Sequence, residues 1–296
     1  MIEKEILKTV RRIEISTRST INSVMAGAYH SSFKGNGMEF SEVREYFPGD
    51  DVRSIDWNVT ARTGNPHVKK YVEERELSVM LMVDASSSAD FGSGRQMKAE
   101  VMATLSALLA FSAIRNNDKV GLMLFTSEPE LFIPPAKGKK HVLRVIRELL
   151  AFRPKYNTTD MNAAIEHTSR ILKRKSVVML LSDFMDEGYE RSLRLMRKKH
   201  DVVAVGVRDP RELELPDAGL VELEDPETGE TVLVDTSDAA FRKAYAREAG
   251  RDQKEVQALF RSLAVDYVPV TICDDYQDTI APLLSYFRRR AKETQR

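Results

Sequence analysis

The 296-residue chain has a single cysteine, Cys273, which excludes an internal disulfide and any site built from several thiolates. It has no basic surplus: Lys+Arg and Asp+Glu number 45 each, for a formal net charge of zero. Proteins that hold nucleic acid or an anionic membrane through their overall field carry an excess of cations, so neither partner is expected. Glycine and proline are sparse, at 14 and 11 residues, which excludes collagen-like and low-complexity classes. Long apolar runs are missing too. The longest uncharged stretch, Val101 to Ile114, has 14 residues. A membrane span needs roughly 18 or more, so this stretch reads as a core helix. The opening segment, MIEKEILKTVRRIEIST, is too charged for a secretory leader. A soluble, cytoplasmic protein is the expectation.

What is present falls into three textures. Residues 1 to about 25 carry Ile2, Ile6, Val10 and Ile13 at helical spacing. Residues 31 to 76 are dense in charge, glycine and proline and read as irregular. From Leu77 onward, apolar runs alternate with helical periodicity. The expected organisation is therefore an N-terminal helix and charged extension over 1–76, packed on a main domain over 77–296.

Strands are predicted at 77–83, 120–125, 176–182, 202–207 and 265–272, each a short apolar run suited to a strand buried on both faces. Helices are predicted between them at 96–115, 139–151, 161–174, 189–199 and 276–290. This alternation implies an α/β fold with a mostly parallel central sheet, helices on both faces and Leu77–Val83 near the middle. The prolines after Ser127 place an edge strand there, since proline cannot donate to a sheet ladder. An insertion at about 221–264 reads as a hairpin around Asp225-Pro226-Glu227-Thr228-Gly229 and a long charged helix.

In open α/β sheets the functional site lies at the carboxyl ends of the strands. The first predicted strand ends in Asp84-Ala85-Ser86-Ser87-Ser88, and the third ends in Ser182-Asp183. Between them, Asn157-Thr158-Thr159-Asp160 opens a helix. Asp84 and Asp183, the two strand-end carboxylates, and several hydroxyls are hard oxygen donors of the kind magnesium or manganese takes in octahedral coordination. The hydroxyls of Ser86 and Ser88 can point at one ion, Thr159 or Thr158 can reach it, and Asp84 and Asp183 supply charge. So few carboxylates leave the ion short of anionic ligands, which favours an incoming Asp or Glu from a partner.

This set resembles the metal-ion-dependent adhesion site (MIDAS) of von Willebrand factor A domains. Asp84, Ser86 and Ser88 match that family's Asp-x-Ser-x-Ser loop, Thr159 best matches its second-loop threonine with Thr158 a near alternative, and Asp183 matches its third-loop aspartate. The glycine pair usual before the threonine is replaced by Tyr156-Asn157-Thr158. The upstream run GNGMEFSEVREYFPGDDVRSIDWNVTART narrows the match. With RELELPDAGLVELEDPETGE downstream, it resembles the bacterial von Willebrand factor A-like proteins of the domain of unknown function 58 family. The resemblance implies a von Willebrand factor A-like, Rossmann-type fold. It also implies an adaptor or co-chaperone role beside a MoxR-type AAA+ ATPase, with no nucleotide bound by this chain.

The motif YFPGDDVRSIDW also has a structural reading. Pro48-Gly49-Asp50 is turn chemistry, Arg53 can pair with Asp50 or Asp56, and Trp57 can anchor the segment. Arg44, Arg53 and Arg62 are the candidates for partner contact. Other chemistries are absent from the sequence. There is no GxxxxGK[ST], and the glycines in GSGRQMK and KGNG read as turns. No HExxH or GxSxG occurs, and His30, His67, His141, His167 and His200 are scattered, as surface or capping residues are. The runs KRK, RKK and RRR read as helix-end cations, and Cys273 as a small buried hydrophobe. The expected function is thus non-enzymatic, metal-dependent protein interaction. A metal-assisted hydrolase on the same oxygens, or a scaffold with an unoccupied site, are the alternatives.

Overall fold

The computed structural model describes residues 37–74, 76–94, 96–225 and 228–294. The predicted helix within residues 1–25 lies outside the described residues. Two units are distinguished, a small one over Phe33–Leu77 and a large one that includes Ser78–Arg296.

In the small unit, β1 (Gly37–Glu45) pairs antiparallel with β2 (His67–Glu74). The linker between them holds a short 3-10 turn, Val52–Ser54, and α1 (Trp57–Thr63). This segment is therefore ordered where its composition predicted irregular chain. Its strands lack apolar runs, so hydrophobic periodicity cannot reveal them, and polar groups do the organising. Asp56 caps α1 by accepting from the N–H groups of Asn58 and Val59, and Gly64 ends the helix at φ 82°. The guanidinium of Arg44 grips both oxygens of Asp50, at 2.7 and 2.8 Å. Arg44 thus takes the role expected of Arg53, and Asp56 faces Lys69 at 3.5 Å. Trp57 is 69% exposed and is not a buried anchor.

The large unit is built on a six-stranded sheet. In chain order it contains β3 (Ser78–Asp84), α2 (Lys98–Arg115), β4 (Lys119–Phe125), β5 (Pro129–Ala136), α3 (Lys139–Ala151) and α4 (Met161–Ile171). These are followed by β6 (Val177–Ser182), α5 (Glu190–Lys199), β7 (Asp201–Arg208) and the single-turn α6 (Pro210–Leu213). A hairpin of β8 (Leu220–Glu224) and β9 (Thr231–Asp235) leads to α7 (Ala239–Ser262), β10 (Asp266–Thr271) and α8 (Tyr276–Thr294).

The strand order is β10-β7-β6-β3-β4-β5, parallel except for the edge strand β5. The predicted α/β architecture, a mostly parallel central sheet packed with helices, is what the chain adopts. β3 is interior, flanked by β4 and β6, because Val79 to Val83 must bury both faces. One face packs Met80, Met82, Met123 and Leu180 against residues of α4, α5 and α7, including Ile165, Leu193 and Phe260. Helices α2 and α8 also pack on the sheet, with α3 beside α2. Parallel strands with helical crossovers bring all five carboxyl ends to one edge.

Three smaller expectations are corrected. Arg288–Arg290 lie inside α8 rather than at its end, and Arg290 reaches across to Asp201 and Asp266. His200 is not a surface residue: it is 2% exposed, with neither ring nitrogen hydrogen-bonded among the described residues. Burial, and secondarily the Lys199 charge, lower its pKa and favour the neutral ring. Cys273 is half-buried rather than sealed in the core. No helix among the described residues is long and apolar enough to cross a membrane.

Candidate metal centre

The site starts from where β3 stops. Asp84 is its last residue, only 3% exposed, and its two oxygens are already engaged. Oδ1 accepts the N–H of Ser86 at 3.0 Å, closing a turn that bends the chain across the sheet edge. Oδ2 accepts the hydroxyl of Ser182, the last residue of β6, at 2.7 Å. That second bond ties the first loop to the third. Ser182 Oγ in turn accepts the N–H of Phe184 at 3.1 Å, and Phe184 takes the left-handed conformation at φ 58°. Its ring packs edge-on to Phe260 at 4.8 Å, so the turn after Asp183 is held by the core.

Ser86 is buried and Ser88 half-buried, and their hydroxyl oxygens lie 3.1 Å apart. Adjacent vertices of an octahedron with bonds of about 2.1 Å are separated by about 3 Å, so this spacing fits a magnesium-sized ion. The second loop is docked against the first, because the Ser87 N–H donates to the Asn157 carbonyl at 2.9 Å. Asp160 then caps α4 through the Ala163 N–H, and its own N–H donates to Thr126 at the end of β4. Of the two second-loop threonines, Thr158 is exposed and Thr159 half-buried.

Charge at the site is unbalanced. Burial and then the nearby charge of Asp183 push the Asp84 carboxyl up to about 6. Hydrogen bonds from Ser86 and Ser182 pull the other way without cancelling this. Such a carboxylate gains from a cation. No group of three or more His, Cys, Asp or Glu among the described residues is arranged to hold a metal. A cation here would therefore rely on hydroxyl oxygens, as in the predicted set, rather than on a carboxylate cage.

Lys98 is the residue that sequence reading missed. It is 2% exposed, and its ammonium donates to Asp183 Oδ2 at 2.7 Å and to Glu212 Oε1 at 2.6 Å. Burial alone would lower its pKa, but the charges of Asp183 and Glu212 outweigh that and hold it above the usual value. Glu212 belongs to α6, where its other oxygen accepts the Asp209 N–H in a capping box. Asp209 in turn accepts from both the N–H and the hydroxyl of Ser93. The third loop, the start of α2 and the loop after β7 are thus one polar network. A signal existed: Lys98 lies on the helical stripe that continues through Val101, Leu105 and Leu108, all buried. A cation on that stripe requires buried anionic partners.

Residues 42–255 match the family described as protein of unknown function DUF58. The chain belongs to that family. An uncharacterised protein of Mycobacterium bovis is 30% identical over 292 residues, covering 98% of this chain and 92% of that protein. Among solved structures, BatB from Bacteroides thetaiotaomicron is similar at 16% identity and a TM-score of 0.47, over 74% of this chain and 98% of that one. Proximal thread matrix protein 1 of the mussel byssus, with a zinc-occupied MIDAS motif, is similar at 16% identity and a TM-score of 0.37. That likeness covers 45% of this chain and 38% of the mussel chain.

Proposed function

We propose that this DUF58 chain is a non-enzymatic protein-interaction module that binds a partner's carboxylate through a divalent cation, magnesium or manganese. The observation that carries this reading is the pair of serine hydroxyls 3.1 Å apart beside a buried carboxylate that is short of positive charge. Ser86, Ser88 and Thr159 would hold the ion directly. Asp84 keeps its oxygens on Ser86 and Ser182, and Asp183 keeps one on Lys98, so both act from the periphery as charge and as acceptors for the ion's waters. When bound, the ion supplies a hard vertex for an aspartate or glutamate from outside the chain.

The family resemblance supports a MoxR-type AAA+ ATPase as the partner, in an adaptor or co-chaperone role in the cytoplasm. A lone carboxylate carries little identity, so specificity must come from other surface on the chain. Two apolar groups support that division of labour. Phe47, Val52 and Trp57 of the YFPGDDVRSIDW motif are 60–69% exposed, as are Leu220, Val232 and Leu233 of the hairpin. Exposed aromatic and aliphatic side chains of this size are characteristic interface anchors.

Magnesium-dependent co-purification with the MoxR-type ATPase tests the reading. Binding is expected with magnesium and lost both in chelator and in Asp84→Ala. Undiminished binding in excess chelator would rule out the metal bridge.

A further inference from the structure

Arg208, the last residue of β7, is 5% exposed, and among the described residues its Nε and Nη2 donors have no hydrogen-bond partner. A buried guanidinium with idle donors is strongly unfavourable unless an anion completes it. Nearby carboxylates are committed elsewhere. Asp209 accepts from Ser93 and Arg211, Glu212 from Lys98 and Asp209, and Asp183 from Lys98 and Met185.

Burial raises the pKa of the Tyr189, Tyr245 and Tyr267 hydroxyls, and the Arg208 charge opposes that rise at all three. Tyr267 covers Gly206: a Cβ there would meet its hydroxyl oxygen at 2.2 Å. Gly206 precedes Arg208 by two residues and so shares its face of the strand. Ser182 pairs with Gly206, which sets Arg208 one strand away from the loop that carries Asp183. Tyr245, half-buried on α7, donates its hydroxyl to the Arg211 carbonyl at 3.5 Å.

We infer that Arg208 is a receptor for a carboxylate from outside the chain, held by the guanidinium fork at the carboxyl end of β7. A planar carboxylate matches two parallel guanidinium donors. The neighbouring Asp183, Asp209 and Glu212 favour a singly charged group over a phosphate dianion. This site does not depend on a metal, so it can be tested apart from the metal centre.

The full chain is kept in chelator at matched ionic strength and titrated with sodium acetate, inorganic phosphate or chloride. The Arg208 Nε–H is followed in proton–nitrogen correlation spectra, assigned through Arg208→Met, and Tm is measured in parallel. Acetate is expected to move that resonance along a saturating one-site curve and to raise Tm, and chloride to do neither. Arg208→Met should lose the acetate gain, yet be at least as stable as wild type in chloride, because it removes an unpaired charge. Arg208→Lys keeps the charge without the fork and should show a reduced gain. The inference is overturned if acetate leaves the resonance unmoved or if phosphate alone binds. It also fails if Arg208→Met is markedly less stable in chloride or does not fold, or if Arg208→Lys keeps the whole acetate gain.

Discussion

At the end of β3 a buried carboxylate, Asp84, stands beside a second one, Asp183. On the same sheet edge, at the end of β7, a buried guanidinium has idle donors. The two strand ends carry opposite electrostatic problems. The first is partly relieved from within, because Lys98 binds Asp183, and the remaining deficit calls for a cation. The second has no such relief among the described residues and calls for an anion. The difference shows how one polar network can serve both corners. Lys98 pairs with Asp183 and Glu212, and neither carboxylate bonds Arg208 among the described residues.

The sharpest way to break this comparison is Lys98→Met. Removing the ammonium leaves Asp183 and Glu212 facing each other, and loss of a buried partner costs about 3–5 kcal/mol. Urea unfolding in chelator should show that loss. Saturating magnesium should recover part of it, because a cation at the neighbouring site restores positive charge near Asp183. A loss of the same size with and without magnesium would separate Lys98 from the metal centre.

Next in size is the pH dependence set by Asp84. Its folded pKa, about 6, is raised above the ordinary carboxylate value of 3.8, so the folded state holds this proton more tightly than the unfolded chain does. The metal-free protein should therefore lose stability as pH rises from about 4 to about 6, by on the order of 2–3 kcal/mol. His200 acts in the opposite direction. Its pKa is lowered by burial, so protonation of the unfolded chain destabilises the fold as pH falls through the ordinary histidine range. Urea titrations in a His200→Gln background isolate the Asp84 contribution, and Asp84→Asn should abolish it.

Gly206→Ala comes third. The added methyl would overlap the Tyr267 hydroxyl, and overpacking of this kind typically costs about 1–3 kcal/mol. Thermal unfolding measures the cost. The Arg208 Nε–H resonance should shift with it, while magnesium affinity should hold, since Ser86 and Ser88 are untouched. The smallest effect on stability is expected from Trp57→Ala, within about 0.5 kcal/mol for so exposed a residue. Binding of the proposed ATPase partner should nonetheless fall in a pull-down.

Sequence pattern made the large unit legible for a physical reason. The strands SVMLMVD and VVMLLS are uninterrupted apolar runs, and only burial on both faces explains such runs. Asp84, Ser86, Ser88 and Asp183 stood out because strand ends are where an α/β sheet exposes its loops. The small unit was opaque because β1, GMEFSEVRE, and the charged β2 are held by caps, a bulge and the Arg44–Asp50 pair. Polar order of that kind leaves no periodic trace. Lys98 and Arg208 were passed over for a related reason: a single cation beside an apolar pattern looks like its edge. Lys98 lies 114 residues from Glu212, a pairing that only the folded sheet edge creates.

The central claim is that the loop after β3 holds a divalent cation with Asp84 as its principal source of charge. Calorimetric titration of magnesium, and of manganese, into wild type and Asp84→Ala at neutral pH tests it most directly. The account predicts one-site binding in wild type, strengthened by acetate as a mimic of the partner's carboxylate even in Arg208→Met, and no binding in a folded Asp84→Ala. Equal affinity in the two proteins would contradict it.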